Sequence, residues 1–387
     1  HFNENAYDDI RTIADHRHRS AHGGARVYQS DAFPEEYQGQ VFMGNIHEHA
    51  VLTDKLIPKG SSYVGEHGEE FLLANNAQFV GFSTEIGPEG GVYMLDWHDA
   101  EICGDTVRTR NTGRVFRIVP KESKAELWEG RFDDLESFSD LYLANLQIKN
   151  SSWHARRARL ILQNRASTGS IDQNATDKLF EIFNSSTNAD YRLRALWSLH
   201  VANELNPEIL SKNLSDKDEY VRAWSIQLVS EDFNVPKSII EKFVSMSNSE
   251  KSPVVRMYLA SALQRLEINE RWDIASNLVT HAIDSSDANI PFLLWYAIEP
   301  IVSTDPGKAM GLSSKSKIKK IKRYIARRLT IENKLQPIVE EINNNPTDRN
   351  LLLLGMRDGL EGYPEVTTPD NWSSTYKKLR GSKGKEA

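Results

Sequence analysis

The strongest constraint on this chain is a change of hydrophobic period near residue 130. Before it, short runs alternate apolar and polar side chains between glycines and prolines, as in Gln40 to Gly44, Gly91 to Trp97 and Gly113 to Val119. A period of two reads as half-buried strand. Pro88-Glu89-Gly90-Gly91 supplies the turn that feeds one of these runs. From Asp133 onward glycine becomes scarce, and apolar residues recur at helical spacing. One stripe carries Leu193, Leu196, Trp197 and Val201; another carries Val221, Trp224, Leu228 and Val229; a third carries Val255, Leu259, Ala262, Leu263 and Leu266.

The helices share an arginine. Aligned on Arg157, Arg194, Arg222 and Arg256, they are separated by 37, 28 and 34 residues. That is the size of a two-helix repeat, slightly short of a HEAT unit of roughly 40 residues. Ser215 with Asp218, and Ser252 followed by Pro253, mark helix starts. A lone helix pair cannot bury its own stripe, so these pairs are expected to stack, with each arginine bound to an acid or a carbonyl of its neighbour. Residues 134–330 are therefore read as a HEAT-like α-solenoid, and 331–387 as a helical extension with a polar tail.

Residues 1–130 are read as the C-terminal blades of a β-propeller. Blades take about 40 to 50 residues and a ring needs at least four, so this length holds two or three. Either further blades precede His1, or this half is a smaller irregular sheet; an open edge of that length would invite aggregation, which favours the former. The expected fold class is β plus α multidomain, a partial propeller followed by a solenoid.

Composition excludes more than it assigns. A formal net charge of -7 gives no global reason to expect nucleic acid as partner. Cys103 is the single cysteine, so an intrachain disulfide and a CxxCH haem attachment are both impossible here. No apolar run reaches the length of a membrane span. No GxSxG, P-loop, Rossmann fingerprint or HExxH is present. The first residues show no signal peptide, so any leader has been removed or lies outside this stretch.

Several stretches resemble one family: His22 to Gly24, Phe33 to Tyr37 with Gly39, Phe42 to Asn45, Phe71 to Asn75, Gly87 to Tyr93 with Asp96 to Asp99, and Thr112 to Ile118. Arg192 to His200, Val221 to Trp224, Trp295 to Pro300 and Ala326 to Leu329 extend the likeness through the helical half. Together they resemble the membrane-bound dehydrogenase-like proteins of planctomycetes and verrucomicrobia. That resemblance implies a propeller similar to soluble quinone-dependent sugar dehydrogenases, then HEAT-like repeats, and often a C-terminal c-type cytochrome domain. It implies pyrroloquinoline quinone (PQQ) and Ca²⁺ as cofactors, haem c only if a CxxCH domain lies outside this sequence, a sugar or alcohol substrate, and a periplasmic or cell-envelope location. The catalytic base of such enzymes sits in earlier blades, so the resemblance assigns no catalytic residue here.

Eight of the eleven histidines fall in the first hundred positions. His16, His18 and His22 offer imidazoles to a metal, although Arg17 and Arg19 would oppose a cation; the competing reading is a polar loop near the propeller axis. By the resemblance, the cofactor-binding residues are His22, Asn45, His47 and His49, the last three standing where related propellers carry cations against the quinone's carboxylates; the competing reading is ordinary loop polarity. Asp96 and Asp99 supply part of a Ca²⁺ shell, or else Asp96 ties neighbouring elements by accepting backbone N–H groups. The basic run Lys315 to Arg328 suits an anionic surface or a solvated solenoid face. Two functions follow as expectations: part of a PQQ-dependent dehydrogenase passing electrons to a cytochrome, or a non-catalytic propeller/HEAT scaffold with a protein partner on the solenoid. A lactonase-type hydrolase is a third.

Overall fold

The computed structural model describes residues 22–99, 111–362 and 366–381. Among these, antiparallel sheets precede a long series of stacked helices, a β region followed by an α-repeat solenoid. One sheet runs in chain order through β1 (His22–Val27), β2 (Val41–Asn45), β3 (Ala50–Lys59) and β4 (Ser62–Leu73). The other holds β5 (Gly81–Ile86), β6 (Val92–Asp96) and β7 (Arg114–Ile118). A four-stranded antiparallel meander is the unit from which propeller blades are built.

Alternation decides which residues enter the core. In β6 Val92 and Met94 are buried while Tyr93 and Leu95 face outward. Tyr28, Phe33, Phe42, Val51 and Phe79 join them. Phe71 meets Phe42 and Phe33 edge-on, with ring centroids 4.7 and 5.4 Å away. Where β2 passes β5, backbone lies on backbone: a Cβ on Gly44 would stand 2.1 Å from the Gly81 carbonyl oxygen. Only hydrogen fits there.

The chain divides into two compact units. The first runs through Leu205 and contains, besides strands, α1 (Asp140–Asn145), α2 (Ser152–Thr168), α3 (Gln173–Ser185) and α4 (Ala189–Val201). In it α1 packs on α3, α2 on α4, and α3 on α4.

The second unit begins at Asn206 and also takes in Gly60–Ser62. Its helices are α5 (Pro207–Asn213), α6 (Glu219–Val229), α7 (Lys237–Ser249), α8 (Pro253–Ala262), α9 (Arg271–Leu278) and α10 (Ile290–Val302). They continue with α11 (Pro306–Lys315), α12 (Lys319–Ile331), α13 (Gln336–Asn344), α14 (Arg349–Leu360) and α15 (Trp372–Gly381). Two layers result: α6, α8, α10, α12 and α14 stack in one, and α7, α9, α11, α13 and α15 in the other. Stacking thus continues beyond residue 330. The closest pair is α12 with α14, where a Cβ on Gly355 would lie 2.3 Å from the Arg323 carbonyl. No helix among the described residues is long and apolar enough to cross a membrane.

Caps set the repeat register. Ser252 caps α8 by accepting from Val255 N, with Pro253 at its first position. At α6 the cap is Asp218 itself, accepting from Tyr220 N and Val221 N, rather than Ser215. Counted from the cap, the recurring cation is the fourth residue on: Arg192, Arg222, Arg256 and Lys322. Alignment on Arg194 is therefore two residues out of register.

Arg222 forks onto Glu250 at 2.8 and 2.9 Å and reaches back to the Asp216 carbonyl at 2.9 Å. Arg256 repeats this on Asp284, both bonds 2.6 Å, and reaches back to the carbonyls of Glu250 and Lys251. Lys322 pairs with Asp348 and touches the Ser314 carbonyl. Arg256 and Asp284 are both fully buried, so removing one strands the other charge. Arg256→Gln should lower unfolding free energy by about 3–5 kcal/mol, and Arg256→Gln with Asp284→Asn by less than the sum of the two single changes. Urea denaturation of the four proteins measures this.

Candidate functional site

The histidine-rich strand end comes first. β1 pairs with β2 so that His22 faces Asn45. Asn45 is buried and its amide closes the following turn, accepting from Glu48 N at 3.1 Å and donating to the Glu48 carboxylate at 2.6 Å. His47 is exposed. His49 has φ +57°, and its Nδ1 lies 2.7 Å from the Phe79 carbonyl, which makes that nitrogen the donor.

Asp96 is fastened to the next residue. Its Oδ1 accepts from Val80 N at 2.7 Å and His98 N at 2.9 Å, and Oδ2 accepts from Arg114 Nε at 2.8 Å, with Nη2 of the same guanidinium 2.6 Å away in the ion pair. The structure therefore brings His49 and Asp96 to adjacent residues, Phe79 and Val80. Asp99 is buried. His16, His18 and Cys103 lie outside the described residues.

These placements bear on the groups the resemblance implies. A quinone with several carboxylates needs cationic donors. Asn45 is spent on its own turn, His49 donates to a carbonyl, and the Glu48 carboxylate adds negative charge beside them. The set of four does not fit such a quinone as a whole; His22 and His47 are its exposed members. For Ca²⁺, both Asp96 oxygens already hold protein donors, and among the described residues no group of three or more His, Cys, Asp or Glu gathers.

Three cations of the basic run are held in ion pairs, while Lys315, Lys317 and Lys319 are exposed. On α12, Lys322 and Arg323 pair with Asp348 and Asp358, and Arg328 with Glu299 and Glu332.

A cleft of about 790 Å³ opens in the first unit between the Gln29–Gly39 loop and the start of α4. Amide side chains line it, Gln29, Gln38, Asn150 and Asn188, together with Phe33, Tyr191 and Arg194. Tyr191 donates to Asn150 Oδ1 at 2.7 Å, and its own N–H is accepted by Asn188 Oδ1, the α4 cap. The amide nitrogens of Gln29, Asn150 and Asn188 have no hydrogen-bond partner among the described residues.

One buried ion pair builds the cleft wall. Arg131 meets Asp31 with two parallel bonds of 2.8 Å, both side chains almost wholly buried. Arg131 also donates to the carbonyls of Pro88 and Glu126 and lies 4.4 Å from the Trp128 ring centroid. Tyr28 Oη braces the same loop, donating to the Gly90 carbonyl and accepting from Ala32 N and Phe33 N. On the helical side, His154 Nε2 donates to the Arg131 carbonyl at 2.7 Å, so Nδ1 accepts from Ser151 Oγ.

Burial acts most strongly on the Asp31 carboxyl and opposes its charge, yet the Arg131 bonds, the Glu126 amide and the Arg131 charge together hold its pKa below the usual 3.8. Burial, with the Arg131 charge, depresses His154 below its usual 6.5 and outweighs the carbonyl it donates to. None of these groups carries a local sequence signal; Asp31 and Arg131 are 100 residues apart.

A family model described as a domain of unknown function, DUF7133, matches residues 2–122. It spans the β region and leaves the helices unmatched. No curated protein matches the chain.

Both shifts are downward, so each group stabilises the fold above its unfolded pKa and loses that contribution as pH falls through its folded value. Stability should decline as pH falls below about 6.5, as His154 is forced to charge, and again below about 3.8 as Asp31 protonates. Thermal melts from pH 8 to 3 would show both phases, and His154→Gln should remove the first alone. Arg131→Met, which strands Asp31, should cost about 3–5 kcal/mol at pH 7.

Proposed function

We propose that this chain is a non-catalytic binding scaffold of the cell envelope, in which the first unit's cleft holds an extended peptide. One observation carries the reading: a cleft of about 790 Å³ presents three exposed amide donors, which have no partner among the described residues, beside two aromatic side chains. Backbone carbonyls of an extended chain suit such donors, and rings take its side chains. The volume is within the usual range for a binding site. The stacked helices offer a second surface for a protein partner. The cell-envelope location rests on the family resemblance.

A second reading keeps quinone-dependent oxidation of a sugar or alcohol, with electrons passed to a cytochrome. What favours it is the β1–β2 register, which sets His22 opposite Asn45 and leaves His22 and His47 exposed at that strand end.

Peptide display against the purified chain tests the first reading. Enriched peptides should bind the chain by fluorescence anisotropy, and Tyr191→Ala or Asn150→Ala should weaken them about tenfold, a loss of roughly 1.4 kcal/mol. Failure to enrich any sequence, or equal binding to Tyr191→Ala, would falsify it. Titration with PQQ and Ca²⁺, followed by absorbance, tests the second; an unchanged quinone spectrum sinks it, and a change that survives His22→Ala and His47→Ala together removes these histidines from it.

A further inference from the structure

Several cations among the described residues meet a carboxylate: Arg131 has Asp31, Arg165 has Asp140, Arg222 has Glu250, and Arg256 has Asp284. Arg156, Arg159 and Arg194, on α2 and α4, are outside these pairs; Arg156 is exposed and the other two are half-buried. Arg156 donates to Gln29 Oε1 at 3.0 Å, and Arg194 to the Lys149 carbonyl at 2.7 Å. Arg159 has only an aromatic face, 5.3 Å from the Trp197 ring centroid. Among the described residues no carboxylate comes within 4.0 Å of any of the three. Asp190 lies near Arg194 without pairing, and Glu85, within electrostatic reach of Arg156, is held by Arg26.

We propose that Arg156, Arg159 and Arg194 form an anion site at the edge of the cleft, which receives the carboxylates of an acidic peptide. This deepens the peptide-scaffold reading and rests on it. Arg194 lines the cleft, Arg156 holds the cleft residue Gln29, and Arg159 follows Arg156 by three residues on the same face of α2. The three charges act on one another. Burial, followed by the charges of Arg156 and Arg194, pushes Arg159 down to about 10, and burial lowers Arg194 as well.

Grouped like charges that are partly desolvated destabilise a fold unless something compensates them. The recurring cation of the repeat finds its partner within the protein; these three stand outside that register, and Arg194 in particular is displaced from it by two residues. Guanidinium forks match carboxylates, and aromatic faces beside them hold the planes in place. The Tyr191 ring centroid lies 5.8 Å from the Arg194 guanidinium, and the Trp197 ring centroid 5.3 Å from that of Arg159. The cleft lining carries Glu35 and Asp190 as well as Lys124 and Arg194, and the chain's net charge is -7, so the complementary ligand is a short segment whose carboxylates reach the arginines locally and not a broad anionic polymer or lipid sheet.

Labelled hexaglutamate, with hexaglutamine as control, tests this by anisotropy on the full chain, with inorganic sulfate and phosphate as competitors. The chain should bind hexaglutamate at least about tenfold more tightly than hexaglutamine, with affinity falling as salt rises. Arg159→Gln and Arg194→Gln should each lose about tenfold while their Tm stays equal or rises, because a repulsion is relieved. A drop in Tm like that of Arg256→Gln would make these residues structural and overturn the proposal. Equal binding of the two peptides would also overturn it, while display-selected peptides that still bind would leave the cleft reading standing. Sulfate or phosphate binding as tightly as hexaglutamate would reassign the site to free oxyanions and overturn the peptide assignment.

Discussion

The first unit depends on where Arg131 puts its charge. A guanidinium this deep is tolerated only if its donors are met, and here a carboxylate and two carbonyls from separate segments meet them. Each of those segments is irregular. The loop carrying Asp31, the turn carrying Pro88 and the linker carrying Glu126 have no strand partners of their own to hold them. The ion pair does for them what a ladder does for a strand, and His154 extends the hold to α2 through the Arg131 carbonyl. The cleft exists because the loop that forms its wall is immobilised at Asp31 and at the hydroxyl of Tyr28.

The β sheets and the solenoid solve the same packing problem by different means. Between β2 and β5 it is the lack of a side chain at Gly44 that permits contact, so specificity comes from exclusion. Between repeats of the second unit it is a long cation that reaches across, so specificity comes from pairing. Hydrophobic stripes bring successive helices together without fixing their offset, since apolar contact is non-directional. A bidentate bond has a direction, and it locks the offset that burial leaves loose.

Periodicity exposed the two fold classes because burial of one face acts on every turn of the chain. The helix start at Ser252 was legible for a similar reason, since a cap is a bond between residues two or three apart, whereas at α6 the pair Ser215 and Asp218 offered two caps and only the structure shows that Asp218 is the one used. The register of the recurring arginine was not. Tyr191 to Ala195 offers two arginines, and only the position of the Asn188 cap shows that Arg192 is the equivalent one. The candidate site was harder still. Strand pairing sets His22 opposite Asn45 and the turn after β2 carries His47 and His49, but the roles of Asn45 and His49 depend on Glu48 and Phe79 in ways composition cannot show. Asp31 and Arg131, and the amides of Gln29, Asn150 and Asn188, come from distant stretches. Nothing in the immediate neighbourhood of any of them marks it as part of one wall.

Glu250 holds two joints of the solenoid at once. Its carboxylate receives Arg222 from the repeat before, and its carbonyl receives Arg256 from the repeat after. A solenoid whose helices met only through apolar faces could fray from its ends, each pair parting independently. Sharing one residue between two clamps makes neighbouring repeats rise and fall together. The array between α6 and α8 should therefore open as one block under heat or strain, which is the behaviour of a beam rather than of a stack of coins.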